Sequence, residues 1–352
     1  MGPWIALLTI PMFIGFFYRN KSSNRIVVII ISSILLFAFR AFRADTVGGD
    51  LERYKLLYES VGTVPWSDVW LYIASGYEIG YIVYYKFLNT LSHNFQIELI
   101  ATALLFTIGL FVFIFRKSKQ PGYSLFIYIT MYFYGATFNN ERQAIPIVLL
   151  MISTIFISSR CLWKYCTCIL LACLFHTSSI IFFPIYFLYN VKLSIKYWIA
   201  VLGIGVTAFL MSRYIMTYVI NTIYTKYEGE DLMEGGGYSY FALLFLIVLS
   251  TLLFYNRKER SNPEKRIWIH MLVVATVLQL LSFTNGYFYR AVTLYSVAMV
   301  IYLPDALNSI RNKNSILLSK FLLAILLFGI YCFYLSNDSL GLVPYVSVLK
   351  IF

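Results

Sequence analysis

Long apolar runs separated by short polar loops recur along the whole chain. They cover residues 3–18, 26–42, 96–115, 121–138, 143–158, 164–176, 177–190, 197–217, 239–255, 267–284, 290–304 and 315–335. A helix that crosses a bilayer takes about 20 apolar residues. Several runs are shorter, so some must tilt, pair tightly or thin the bilayer. The pattern predicts an all-α polytopic transmembrane helical bundle with about 12 spanning helices. A further apolar helix is expected over 77–91, and its placement depends on topology.

Composition agrees with lipid as the solvent. The chain has 352 residues, of which 60% are hydrophobic and 12% charged. Soluble domains carry about 25% charged residues, and half that share could not cover a water-facing surface. The formal net charge is +12. Its Lys and Arg residues sit in short loops between apolar runs, where they act as topology signals. Nucleic acid is therefore not an expected partner. Cys161, Cys166, Cys168, Cys173 and Cys332 form no CxxC pair and read as reduced apolar fillers. No basic stretch precedes the first apolar run, so that run is expected to be retained. Residues 1–352 are expected to form a single integral membrane domain.

The positive-inside rule assigns the sides. Arg257, Lys258, Arg260, Lys265 and Arg266 lie between two clear runs and mark the cytoplasmic side. Alternation then puts 116–119, 158–164, 190–196 and 305–314 inside. The acidic stretch with Glu228, Glu230, Asp231 and Glu234 falls outside, in a loop over 213–238 expected to be mobile. Loop 19–25 is basic and should also be inside, which places 43–76 outside. An odd number of crossings must follow before 116. Segment 77–91 is therefore expected not to cross, but to form a re-entrant or interfacial helix within a periplasmic loop spanning 43–95. Such backbone is tolerated only against protein or a wet cavity. Apart from Glu259, Glu264 and Asp305, every acidic residue falls on the outer half. Arg40, Arg43, Arg142, Arg213 and Arg290 lie there too, against the bias that orients the chain.

Polar groups at membrane depth are costly and mark function. Five clusters stand at the outer ends of runs. The first holds Arg40, Arg43, Asp45, Gly48, Gly49, Asp50 and Tyr54. In the second, Glu78 opens the 77–91 helix with Gly80 and Tyr81 following, and a helix N-terminus favours negative charge. The third is Asn139, Asn140, Glu141, Arg142 and Gln143. Its asparagines could cap the next helix, leaving Arg142 in a first turn where a cation opposes the dipole unless an anion intervenes. The fourth is Phe175, His176, Thr177, Ser178 and Ser179, with an imidazole that could take a proton near neutral pH. The fifth ends in Arg290, placed like Arg142. Two arginines on one face suit a diphosphate, because a guanidinium fork binds phosphate oxygens bidentately. His93 reads as a loop residue and His270 as a packed one. The acidic run at 228–234 reads as a loop rather than a metal site, and Gly203 and Gly205 as helix packing. No P-loop, GxSxG or HExxH motif occurs.

In this order the clusters resemble the EpsG-like group of Wzy-type O-antigen and capsular polysaccharide polymerases. The matching residues are Arg43, Val47, Gly48, Asp50 and Tyr54, then Glu78, Gly80 and Tyr81. They continue with Asn140, Arg142 and Gln143, then Phe175, His176 and Ser178, then Arg290. Pro146 departs from the small residue usual there, and proline is tolerated in a first turn. The resemblance implies an integral-membrane glycosyltransferase fold of the GT-C-like type. It also implies a multi-pass protein of the bacterial inner membrane with its active site on the periplasmic side. Donor and acceptor would both be undecaprenyl-diphosphate-linked oligosaccharides, the growing chain moving onto a new repeat unit. A chain-length regulator is a candidate partner, and neither metal nor other cofactor is expected. The diphosphate would be held by Arg142, Arg290, Arg43 and Gln143. His176 is the first choice of base, with Glu78 and Asp50 as alternatives. Asn140, Tyr54, Tyr81 and Ser178 would meet sugar.

Three other classes use similar residues. A lipid-linked oligosaccharide flippase would spread polar residues through the bundle rather than gather them at one face. A membrane O-acyltransferase would need its histidine reachable from the cytoplasm. An O-antigen ligase shares the chemistry and differs in acceptor.

Overall fold

A computed structural model describes residues 1–17, 22–222, 236–255, 260–284, 286, 288–310 and 312–349. These residues are helical, with no strand among them. The chain divides into two compact units, Met1–Ile180 with Asn312–Phe352, and Ile181–Arg311.

The first unit contains α1 (Gly2–Phe17), α2 (Ser22–Ala41), α3 (Leu51–Thr63), α4 (Trp70–Ala74), α5 (Ile79–Leu91) and α6 (Gln96–Lys117). It continues with α7 (Pro121–Thr130), α8 (Phe133–Asn139), α9 (Glu141–Ser158), α10 (Leu162–Phe175) and, from the C-terminal part of the chain, Lys313–Asn337. α6 shows why such segments fold: an apolar stretch opens on Glu98 and closes on Arg116 and Lys117. Those charges complement the helix dipole at both ends. α6 packs on α2 and α9, and α9 packs on α10. Every residue of α7 is buried. The chain after Asn337 folds back on the loop before α3. Gly48 and Gly49 donate to the carbonyls of Gly341 and Leu340 at 2.8 Å each. Gly48 has φ +126°, and a Cβ there would lie 2.6 Å from the Phe138 carbonyl oxygen, so only glycine fits.

The second unit contains α11 (Ile185–Leu188), α12 (Ile195–Thr222), α13 (Tyr238–Phe254), α14 (Pro263–Ser282), α15 (Phe288–Ser296) and α16 (Met299–Asn308). The helix Lys313–Asn337 of the first unit follows as α17. α14 starts on Asn262, whose side chain accepts from the Glu264 amide at 2.9 Å, with Pro263 in the first turn. It packs on α12, α13 and α15.

Six stretches among the described residues are long and apolar enough to cross a membrane: 96–117, 141–158, 195–215, 263–282, 288–308 and 313–337. Only 11% of the 195–215 stretch and 17% of the last are buried, leaving broad apolar faces that lipid would cover. The expected runs match helices, but three are interrupted. The run 121–138 breaks at Tyr132, which takes φ +65° and stacks on Tyr334 with centroids 5.2 Å apart. The run 290–304 divides between α15 and α16. The run 177–190 is not a spanning helix: it forms a 3-10 turn over Thr177–Phe182 and the single turn α11. Pro184, without an N–H, stands between them.

The stretch 43–95, expected as a loop with one helix, holds three: α3, α4 and α5. α5 has 13 residues, about 20 Å at 1.5 Å per residue, against a hydrocarbon core of about 30 Å. It is shorter than the hydrocarbon core, as a re-entrant or interfacial helix would be. Residues 213–222 of the expected 213–238 loop continue α12, while 223–235, with its acidic run, lie outside the described residues.

Candidate active site

Three side chains from separate helices meet in the first unit. Glu78 is the N-cap residue of α5, with an extended backbone that turns its side chain aside from the helix. Its Oε2 accepts from Arg142 Nη1 at 3.0 Å. Its Oε1 lies 3.5 Å from His176 Nδ1. Arg142 projects from the first turn of α9. His176 caps the C-terminus of α10 and is fixed on both sides by backbone: its N–H donates to Ala172, and its carbonyl accepts from Ser179, each at 2.9 Å. Gln143 joins from the next position of α9, its Nε2 3.4 Å from His176 Nε2.

The cluster is recessed but not sealed: the Arg142 side chain is 16% exposed and that of Glu78 12%. Burial raises the Glu78 pKa, but the close approach of the His176 imidazole and the charge of Arg142 outweigh it. The carboxyl is therefore held below its usual range. An ionised carboxylate thus faces an imidazole and a guanidinium. That arrangement can orient a base and receive an anion.

α5 reaches this position because Gly80 lets it approach α10 closely. A Cβ at Gly80 would lie 2.7 Å from Leu174 Cβ and 2.8 Å from its carbonyl oxygen. α9 passes through Pro146 without interruption.

The other expected residues lie elsewhere. Arg43, expected on the diphosphate, is fully buried. It pairs with Glu141 and donates from Nη1 to the Phe138 carbonyl at 3.1 Å. A substrate would have to break a buried ion pair to reach it. Asp50, expected as an alternative base, exchanges two hydrogen bonds with Asn139. Its N–H donates to Oδ1 at 2.8 Å, and its Oδ2 accepts from Nδ2 at 3.2 Å. Tyr81 is buried and bonded to the Tyr85 hydroxyl, with Tyr54 edge-on at 6.4 Å. Asn140 is the N-cap residue of α9, though its Nδ2 donates backwards to Ala136 at 3.3 Å. Ser178 is half-buried in the turn after His176. Arg290 is half-buried in the first turn of α15, in the second unit. His93 Nδ1 lies 2.8 Å from Asn89 Oδ1. His270 is buried between the Tyr197 hydroxyl and the Val191 carbonyl, at 2.8 and 3.0 Å.

Sequence reasoning missed the second charged cluster. Arg40 Nη2 bonds Glu141 Oε2 at 2.7 Å, and Nη1 donates to Thr137 Oγ1 at 2.6 Å. Arg43 shares the same carboxylate oxygen. Glu98, buried in the first turn of α6, accepts from Thr102 Oγ1 at 2.7 Å and lies within electrostatic reach of Arg43. The signal for Glu98 was a lone acid in an apolar run with a hydroxyl one turn on.

Fold and cluster together define a membrane-embedded helical protein with a recessed cluster of charged and polar side chains. A family model for the EpsG family matches residues 6–347, nearly the whole chain, so the protein belongs to that family. EpsG-like proteins are of the Wzy polymerase type, and polysaccharide polymerisation is the coarse function that membership carries. No curated protein and no solved structure matches the chain.

Proposed function

We propose that this protein polymerises undecaprenyl-diphosphate-linked oligosaccharide repeat units into O-antigen or a related surface polysaccharide. The growing chain passes from its lipid carrier onto a new lipid-linked unit, at the periplasmic face of the bacterial inner membrane. The observation that carries this reading is the meeting of Arg142, His176 and Glu78 in an EpsG family member. The fold would be of the GT-C-like glycosyltransferase type.

In this mechanism the acceptor hydroxyl attacks the anomeric carbon of the donor chain. The bond from that carbon to the diphosphate oxygen breaks, and the lipid diphosphate leaves with the electron pair. Arg142 receives the charge that develops on it. Arg290 is assigned to the same diphosphate on its sequence position alone. The hydroxyl proton goes to His176 Nε2, beside Gln143. Glu78 faces Nδ1, where it fixes the tautomer and stabilises the imidazolium, as a carboxylate does for a histidine base. Direct displacement would invert the anomeric configuration. Tyr54, Asn140 and Ser178, all half-buried in the first unit, are assigned to sugar hydroxyls.

A deletion strain tests the class of activity. A single repeat unit on the cell surface is expected, because synthesis, flipping and ligation continue without polymerisation. A surface with no repeat units would favour a flippase or ligase. Normal-length polymer lacking an acyl group would favour an acyltransferase.

A further inference from the structure

A groove of about 360 Å³ runs between α5 and α10, lined by Glu78, Ile79, Thr167, Leu170, Leu171 and Leu174 among others. Its walls are apolar, and Leu170 is 64% exposed. Ile79 begins an exposed apolar stripe on α5 that continues through Val83, Phe87 and Leu91. Residues four apart share one helix face, so the stripe carries the groove wall along α5. A face of this kind would be covered by lipid. At its polar end the groove meets Glu78, and through it Arg142 at 3.0 Å and His176 at 3.5 Å. The site therefore offers a hydrocarbon slot that ends on the Glu78 carboxylate, with the Arg142 guanidinium 3.0 Å behind it.

We propose that this groove seats the first isoprene units of a prenyl diphosphate whose diphosphate lies against Arg142. The inference rests on the assignment of Arg142 to the diphosphate in the proposed function. Charge selects the occupant. Arg142 already holds a carboxylate, so a monoanionic phospholipid head must compete with Glu78 at no charge advantage. A diphosphate brings more charge and more acceptor oxygens to the guanidinium fork. Shape agrees: the volume lies near the bottom of the roughly 300–1,000 Å³ range of small-ligand pockets, suiting one chain rather than the two of a phospholipid.

The test uses the full-length protein in nanodiscs, with farnesyl diphosphate and inorganic diphosphate as probes. Farnesyl diphosphate should bind at least tenfold more tightly than inorganic diphosphate. Leu171→Trp, which fills the groove, should erase that advantage and leave inorganic diphosphate within twofold of wild type. Thr167→Trp, on the same face one turn away, should act likewise if the first variant folds poorly. A benzophenone-bearing prenyl diphosphate should cross-link to the peptide around Leu170–Leu174. The groove assignment is overturned if both tryptophan variants keep the tenfold advantage. It is also overturned if phosphatidylglycerol competes as well as farnesyl diphosphate, because the occupant is then bulk lipid. Failure of wild-type protein to bind either diphosphate would sink the Arg142 assignment and the groove with it.

Discussion

Glu141 and Arg142 are neighbours in the first turn of α9, yet they belong to two charged clusters with different surroundings. Glu141 turns inward to Arg40 and Arg43, where all three side chains are fully buried. Arg142 turns toward Glu78 and His176, beside an open groove. Removing a charge from water costs several kcal/mol per ion even after relaxation. The inner cluster meets that cost by pairing: both guanidiniums share the Glu141 carboxylate, and Arg40 and Arg43 also donate to Thr137 Oγ1 and the Phe138 carbonyl. Aromatic faces add to it: the Arg43 guanidinium lies 4.4 Å from the Phe138 ring centroid. Such a set is fixed, because any change leaves a charge stranded. The outer cluster is partly solvated, so its ion pair can exchange partners when an anion arrives. The inner cluster serves as a frame that aims α9, and the outer one is where the proposed function puts substrate chemistry.

The sharpest test of this division is His176→Gln. General-base catalysis typically contributes about 10²–10⁴ in rate, and an amide cannot take the proton. Polymer formation in a reconstituted assay should fall by that factor, with insertion and thermal stability unchanged. Glutamine activity near wild type would give His176 a packing role and move the base to Glu78.

Arg43 and Arg142 should separate on stability. Truncating one partner of a buried ion pair costs about 3–5 kcal/mol, so Arg43→Ala should unfold easily or fail to accumulate. Arg142→Ala removes a less deeply buried pair, with side chains 16% and 12% exposed. It should melt well above Arg43→Ala while losing activity. Equal melting temperatures for the two variants would erase the distinction between frame and site.

The sequence made one cluster legible and hid the other. Glu78, Arg142, Gln143 and His176 each stand beside a helix end, where polar residues interrupt apolar runs, and the structure brings them together. Arg43 looked the same from sequence. Its partner, 98 residues away, could be identified only once α2 lay beside α8 and α9. Asp50 was opaque for the same reason, since Asn139 holds it across 89 residues. Apolar runs located the helices well, because hydrophobicity is a local signal. They did not reveal the break at Tyr132, which uses neither glycine nor proline. They also missed α3, whose mixed polarity matches neither a span nor a loop, and α4, an apolar stretch of only 5 residues.

A smaller effect is expected at Gly80, which acts through the approach of α5 to α10. Gly80→Ala places a methyl against the Leu174 backbone, which cannot rotate away as a side chain could. Overpacking of this kind costs about 1–3 kcal/mol. α5 should shift and carry Glu78 away from His176. Activity should fall while inorganic diphosphate binding to Arg142 persists. Unchanged activity and stability would mean that the α5–α10 spacing is not critical.

The smallest expected effect is a pH dependence that tests whether Glu78 is held by the outer cluster. Burial raises its pKa, but His176 and Arg142 pull it lower, so the folded value lies below the usual one. A group depressed in this way stabilises the fold above its unfolded pKa, about 4.3 for glutamate. That contribution fades as pH falls through the folded value. Below about pH 4.3, wild type should therefore lose melting temperature faster than Glu78→Gln, by a modest margin because the cluster is partly solvated. Parallel acid slopes would show that Arg142 and His176 do not hold the carboxylate in solution. The same window separates the two candidate bases. With His176 as base, the rate should fall on acidification well above the carboxylate range, where Glu78 is still ionised. An acid limb confined to the carboxylate range would assign the proton transfer to Glu78 and leave His176 to position it.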